Sequence, residues 1–183
     1  FTVVPIWRKR LADFETPVSG FAKLVGDSDG FLLESVEHGV RWGRLSVIGS
    51  DPELTLVARG NDVVVTGEIP VGVPTDSGAL NAIEALLSHY KAPSFEDLPP
   101  FHGGVVGYLG YDVVREVEYL PNVPADDLGW PDAVLTVTGH VTAFDHFAIK
   151  AFEFSQKLQL ITFKFVKLQA AVASCNNQIG MVL

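Results

Sequence analysis

The chain has 183 residues, 48% of them hydrophobic and 19% charged, which is enough apolar material for a core and too little charge for a disordered segment. Its formal net charge of −9 argues against nucleic acid and anionic membranes as partners, because phosphates select a basic face. A single cysteine, Cys175, rules out an internal disulfide and suits a reducing cytosol, and no apolar run approaches the roughly 18 residues of a membrane-spanning helix.

In chain order, the first residue is Phe1 rather than methionine, so we expect a start upstream. The basic trio Arg8-Lys9-Arg10 leads into Leu-Ala-Asp-Phe-Glu and not into the apolar stretch of a signal peptide, which fits a cytoplasmic protein. Thr16-Pro17 reads as an N-cap with proline at the first helical position, opening a helix over VSGFAKLV. FLLESVE and VRWGRLSVI flank His38-Gly39 and predict a hairpin with a two-residue turn. That turn sets Leu33 opposite Arg44, Glu34 opposite Gly43 and Ser35 opposite Trp42. Leu33, Ser35, Trp42 and Arg44 then share one face, where a hydroxyl, a guanidinium and apolar walls suit a small amphiphile with a carboxylate. A slip of one residue would move Ser35 to the other face, and polar residues that merely mark the end of a strand are the commoner case.

ELTLVAR and DVVVTG flank Gly60-Asn61 as a second hairpin, and AVLTVTG with VTAFDH forms a third candidate pair around Gly139-His140. Between them, SGALNAIEALLSHYK places Leu80, Ile83, Leu86, Leu87 and Tyr90 on one helical stripe that ends before Pro93. APSFEDLPP is a proline-bearing loop. The elements together predict an α+β fold, a mostly antiparallel sheet with a few packed helices.

Several motifs carry less than they promise. LPPFHGGVVGYLGYD has glycines at 103, 104, 107 and 110, but not the spacing of a dinucleotide loop between a strand and a helix. Its glycines are expected to let another backbone approach closely. The five histidines offer no ligand pair at helical or strand spacing; His140 and His146 with Asp145 are the nearest to a cluster, and we expect no metal site in this chain. Cys175 has no partner base, and Asp126-Asp127 reads as an exposed loop, so no catalytic residues are assigned.

Composition changes near FDHFAIKAFEFSQK. Up to residue 146 there are 9 Lys and Arg against 21 Asp and Glu; beyond it there are 4 lysines against one acid. All eleven prolines lie at or before Pro131, and all four glutamines lie after residue 150. We therefore divide the chain into a domain over 1–146 and an atypical tail over 147–183, as a frameshift or truncation would produce. Within the tail, AFEFSQKLQLITFKF alternates as a hairpin would and VKLQAAVASC suits a short helix.

The order of LLES, GRLSVIG, LPPFHGGVVGYLGYD, VPADDLGWPDAVL and FDH resembles the N-terminal region of anthranilate synthase component I, over about residues 3 to 146. Leu45 and Val47 stand where the family's usual G-R-Y-S-F-I-G has tyrosine and phenylalanine, both tolerable in a strand. The resemblance implies an enzyme that converts chorismate and ammonia to anthranilate and pyruvate. Its catalytic groups and Mg²⁺ ligands would lie in a C-terminal, chorismate-binding half absent here, and its ammonia would come from a glutaminase partner, component II. It implies that this region carries part of an L-tryptophan feedback site, with Ser35 of LLES as a contact, Leu33 and Glu34 beside it, and Arg44 and Ser46 contributed by the G-R-x-S motif. A free-standing module that binds tryptophan or a partner is the alternative from another class, and aminodeoxychorismate synthase component I the alternative within the same one.

Overall fold

The computed structural model describes residues 2–34, 44–93, 95, 96, 98–147, 150–158, 179 and 180. The predicted class holds: two antiparallel sheets, two α-helices and one 3₁₀ turn make an α+β fold. The chain divides into two compact units. Unit 1 takes residues 1–52, 91–103 and 138–183, and unit 2 takes 53–90 and 104–137.

Unit 1 is built on a six-stranded sheet with β1 (Val3–Leu11), β2 (Gly30–Glu34), β3 (Leu45–Ser50), β8 (His140–Asp145), β9 (Lys150–Leu158) and β10 (Ile179–Gly180), in the order β10-β1-β9-β8-β3-β2. β9 pairs with β1 along its whole length, Val3 opposite Leu158 through Leu11 opposite Lys150, and with β8 on its other side. Residues 150–158 are therefore a central strand of this unit. The expected tail helix, and the second half of the expected tail hairpin, lie outside the described residues.

Alternation gives the sheet two different faces. One buries Val47, Val141, Ala143, Phe152 and Phe154 with Trp7 and Phe31, and is covered by Phe95, Leu98 and Phe101 from the proline-bearing loop. The other buries Ile48, Phe144 and Ala151 under α1 (Pro17–Leu24), through Phe21 and Val25. That helix starts where its sequence says it should. Thr16 Oγ1 accepts from the Ser19 N–H at 3.1 Å, Ser19 Oγ accepts from the Thr16 N–H at 3.0 Å, and Pro17 needs no partner. Its buried Gly20 faces Phe144, whose Cζ would lie 2.9 Å from an added Cβ, so the helix sits close on the sheet.

Unit 2 has a four-stranded sheet in the order β5-β4-β7-β6, made of β4 (Leu54–Arg59), β5 (Asp62–Gly67), β6 (Val105–Leu109) and β7 (Ala133–Val137). The Gly60-Asn61 hairpin forms as expected, with Arg59 opposite Asp62 and Gly60 at φ +54°. The third expected hairpin does not form. β7 pairs with β4 and β6 in unit 2, whereas β8 belongs to the sheet of unit 1. A short glycine-bearing gap between two alternating runs reads the same whether the strands pair or part, because pairing is decided by distant strands. The glycine motif becomes β6, and an added Cβ at Gly107 would lie 1.9 Å from the Val134 carbonyl oxygen, the close backbone approach that was anticipated.

Helix α2 (Gly78–His89) covers this sheet with Ala79, Ala82 and Leu86, flanked by Leu80, Ile83 and Tyr90. Leu87, placed on the buried stripe by sequence, is half exposed. The stripe is centred on two alanines, which let the helix come close, and a reading weighted toward large side chains misses that. The 3₁₀ turn Tyr111–Glu116 closes the helix's N-terminus. The Glu116 carboxylate accepts from the N–H groups of Ala79 at 2.8 Å and Leu80 at 2.9 Å, satisfying two donors that a helix start leaves open.

Tyr90 yields a pH prediction. Its hydroxyl is buried and has no hydrogen bond among the described residues. Burial, with the Glu53 charge adding to it, pushes the phenol above its ordinary value. The neutral form is favoured on folding, so the stability this group contributes is full below about pH 10, the unfolded value, and is lost as pH rises through the folded value. Tyr90→Phe is expected to gain about 0.5–1 kcal/mol at neutral pH and to lessen the alkaline loss, checked by urea denaturation on both sides of that range.

Candidate functional site

The predicted site residues fall at one end of the sheet in unit 1. Ser35 and Trp42 lie outside the described residues, as does His38-Gly39. β2 and β3 pair with Gly30 opposite Ser50, Phe31 opposite Gly49, Leu33 opposite Val47 and Glu34 opposite Ser46. Leu33 therefore faces Val47 and not Arg44. The physical reason is visible at Gly49. The Phe31 ring lies across it so closely that an added Cβ would fall 2.0 Å from Phe31 Cε1, and only this register gives the ring a residue without a side chain.

The new register separates the predicted set. Leu33 shares the face of Val47, and its side chain is half exposed. Glu34 and Ser46 are paired on the opposite face, the one that carries Ile48 and Phe144. Glu34 is exposed, whereas Ser46 is 2% exposed. Arg44, one residue before β3, extends toward the end of β8.

Two residues of the FDH motif receive them. Arg44 Nε donates to both carboxylate oxygens of Asp145, at 3.0 and 2.9 Å, and its Nη2 also binds Oδ2. The Asp145 side chain is 5% exposed and that of Arg44 53%. A buried carboxylate is thus held by a guanidinium that keeps its outer edge in water, which suits the planar fork of arginine. The hydrogen bonds that Arg44 donates to Asp145, then the Asp145 charge, raise the Arg44 pKa above its already high ordinary value. Asp145 also accepts from the Phe147 N–H at 3.1 Å. The next residue, His146, shares a hydrogen bond of 2.8 Å between its Nε2 and Ser46 Oγ, and its backbone N–H donates to the Arg44 carbonyl at 3.0 Å.

This end of the sheet gathers an exposed carboxylate, a buried hydroxyl held by an imidazole, and a guanidinium fixed on one edge and open on the other. By the strand register Glu34 and Ser46 share one face, whereas Asp145, which holds Arg44, lies on the face of Leu33 and Val47. The sequence reading named Glu34, Arg44 and Ser46 as candidates, and placed Asp145 and His146 only in a loose group with His140. The structure places His140 at the other end of β8, where Nδ1 lies 3.2 Å from Asp51 Oδ2. The signal that was present was a polar Asp-His pair ending an apolar strand.

Other candidates resolve into structure. Asp126 Oδ1 accepts from the N–H groups of Leu128 and Gly129, at 3.1 and 2.9 Å, and so staples its own loop. That loop borders an open cleft of about 550 Å³ in unit 2, lined among others by Tyr111, Asp112, Arg115, Leu128 and Trp130. Among the described residues no three of His, Cys, Asp and Glu gather as metal ligands. Among the described residues, no helix is long and apolar enough to cross a membrane.

No protein-family model matches the sequence. The chain is 43% identical over 145 residues to anthranilate synthase component 1 of Mycolicibacterium smegmatis, covering 79% of this chain and 28% of that protein. It is 36% identical over 146 residues to the protein of the same name from Acetivibrio thermocellus (80% of this chain, 30% of the relative). It is 39% identical over 153 residues to that of Pseudomonas putida, with the same two shares. The chain thus spans less than a third of the length of these relatives. Among solved structures, anthranilate synthase component I from Streptococcus pneumoniae has the same fold, with a TM-score of 0.53 at 20% identity, covering 89% of this chain and 34% of that one.

Proposed function

The chain belongs to the anthranilate synthase component I family, and on that premise we propose that it is the N-terminal, regulatory portion of such an enzyme. In this reading the whole enzyme is a lyase that forms anthranilate and pyruvate from chorismate. It draws ammonia from a glutaminase component II, and its Mg²⁺ and catalytic groups lie beyond this chain. The 183 residues are catalytically silent alone and carry part of an L-tryptophan feedback site at the end of β2 and β3. What supports this most is the Asp145-held Arg44, a guanidinium with one edge in water that can receive a carboxylate, at the strand end that carries Glu34.

Feedback needs differential affinity. Tryptophan must bind the inactive arrangement of the whole enzyme more tightly than the active one, and by linkage a chorismate-bound enzyme must bind tryptophan less well. A site at the end of a sheet, completed by residues from another part of the protein, responds to such a change. The portion by itself should therefore bind tryptophan weakly.

The test is a chimera in which residues 1–146 replace the matching stretch of the Mycolicibacterium smegmatis relative. Anthranilate formation should persist and be inhibited by L-tryptophan. Ser35→Arg in the chimera should relieve inhibition while leaving turnover near its starting level. Inhibition unchanged by Ser35→Arg would remove Ser35 from the site.

A further inference from the structure

A second cation stands beside the Arg44–Asp145 pair. The ladders of unit 1 set Leu11 of β1 opposite Lys150 of β9, Lys150 opposite Asp145 of β8, and Asp145 opposite Leu45 of β3. Four side chains thus form one row across four neighbouring strands, on the face that carries Leu33 and Val47. We propose that Lys150 binds the ligand's carboxylate together with the open edge of Arg44, so that this portion of the site recognises the acid group of an apolar amino acid and not its ammonium. This inference rests on the reading of the site given above.

The charges on the row do not cancel. Asp145 is one acid between two bases: Arg44, which donates to it, and Lys150, directly across the ladder. Arg44 turns Nε and Nη2 to Asp145 and keeps its other edge in water. Lys150 is exposed and enters no ion pair among the described residues. One unit of positive charge is left over, in a chain whose net charge is −9. Cross-strand neighbours have Cβ atoms about 5 Å apart, so the four-carbon arm of Lys150 spans the distance to a carboxylate docked on Arg44. A guanidinium edge on one side and an ammonium on the other serve the two oxygens of that carboxylate.

The row also has room for an apolar group. Phe95, Leu98 and Phe101 cover the middle of this face, but its end is open: Leu11 is 77% exposed and Leu33 48%. Leucines on both sides of the charged groups give an apolar side chain a surface to lie on while the cations hold its acid. An ammonium finds no partner there. The acid on the row, Asp145, is buried and already held, and Glu34 stands on the opposite face.

The experiment is a nuclear magnetic resonance titration of the isotope-labelled 183-residue chain with three probes: L-tryptophan, indole-3-propionate, which lacks the ammonium, and tryptamine, which lacks the carboxylate. Both acids should bind, with shifts on Arg44, Leu45 and Lys150, and tryptamine at least tenfold more weakly. Lys150→Gln should weaken both acids about fivefold, the worth of one exposed ion pair, and leave tryptamine as it was. Lys150→Arg should keep the affinity for the acids. Lys150 is exposed, so both variants should fold. Unchanged affinity for the acids in Lys150→Gln, equal losses for all three probes, or tryptamine bound as tightly as tryptophan overturns the inference and leaves the site standing. No binding of either acid by the wild type at millimolar concentration overturns both.

Discussion

Gly107→Ala is expected to destabilise unit 2 by about 3 kcal/mol or more. Gly107 lies in β6 opposite Leu135 of β7. An added Cβ would sit 1.9 Å from the Val134 carbonyl oxygen, 2.8 Å from Leu135 Cα and 2.9 Å from the Val134 carbonyl carbon. All three are backbone atoms in the middle of a ladder, so no side chain can swing aside. Relief requires β6 to part from β7, and β6 is the edge of its sheet. Gly60→Ala is the control. Nothing lies within 4 Å of its added Cβ, and only the left-handed φ of +54° opposes it, at about 1 kcal/mol. Hydrogen exchange read on β6 and β7 separates the two. Similar losses for both variants would mean that the β6–β7 approach is looser than described.

The second large effect is an asymmetry. Arg44→Met is expected to destabilise the protein clearly more than Asp145→Asn does. Removing the arginine leaves a carboxylate that is 5% exposed without its guanidinium, whereas removing the carboxylate's charge frees an arginine already half in water. A symmetric surface pair would give small, equal losses. In the double variant the loss should be well below the sum, since each change removes the same interaction. Chemical denaturation of the four proteins measures this. Equal, small losses for Arg44→Met and Asp145→Asn would make the pair an ordinary surface contact.

The features legible in the sequence are local ones. The Thr16-Pro17 start of α1, the Gly60-Asn61 turn and the tight strand around Gly107 each depend on a few neighbouring residues with strong backbone preferences. What the sequence does not display is how distant strands meet. The β2–β3 register is set by the Phe31 ring lying over Gly49, a contact that His38-Gly39, with its turn-like composition, overshadows. The parting of β7 and β8 into different units depends on partners far away in the chain. The partners of Asp145 and His146 escaped for the same reason. Each is about a hundred residues from the side chain it holds, and neither has a spacing that marks it. The compositional break near residue 147 also says little about pairing, since β9 just beyond it lies between β1 and β8.

The central claim is that the end of β2 and β3 holds L-tryptophan. The most direct measurement is a nuclear magnetic resonance titration of the isotope-labelled 183-residue chain with L-tryptophan. The account predicts weak, saturable shifts concentrated on Leu33, Glu34, Arg44, Ser46 and His146. Silence at millimolar tryptophan, or shifts confined to the cleft beside Tyr111 and Trp130, would contradict it.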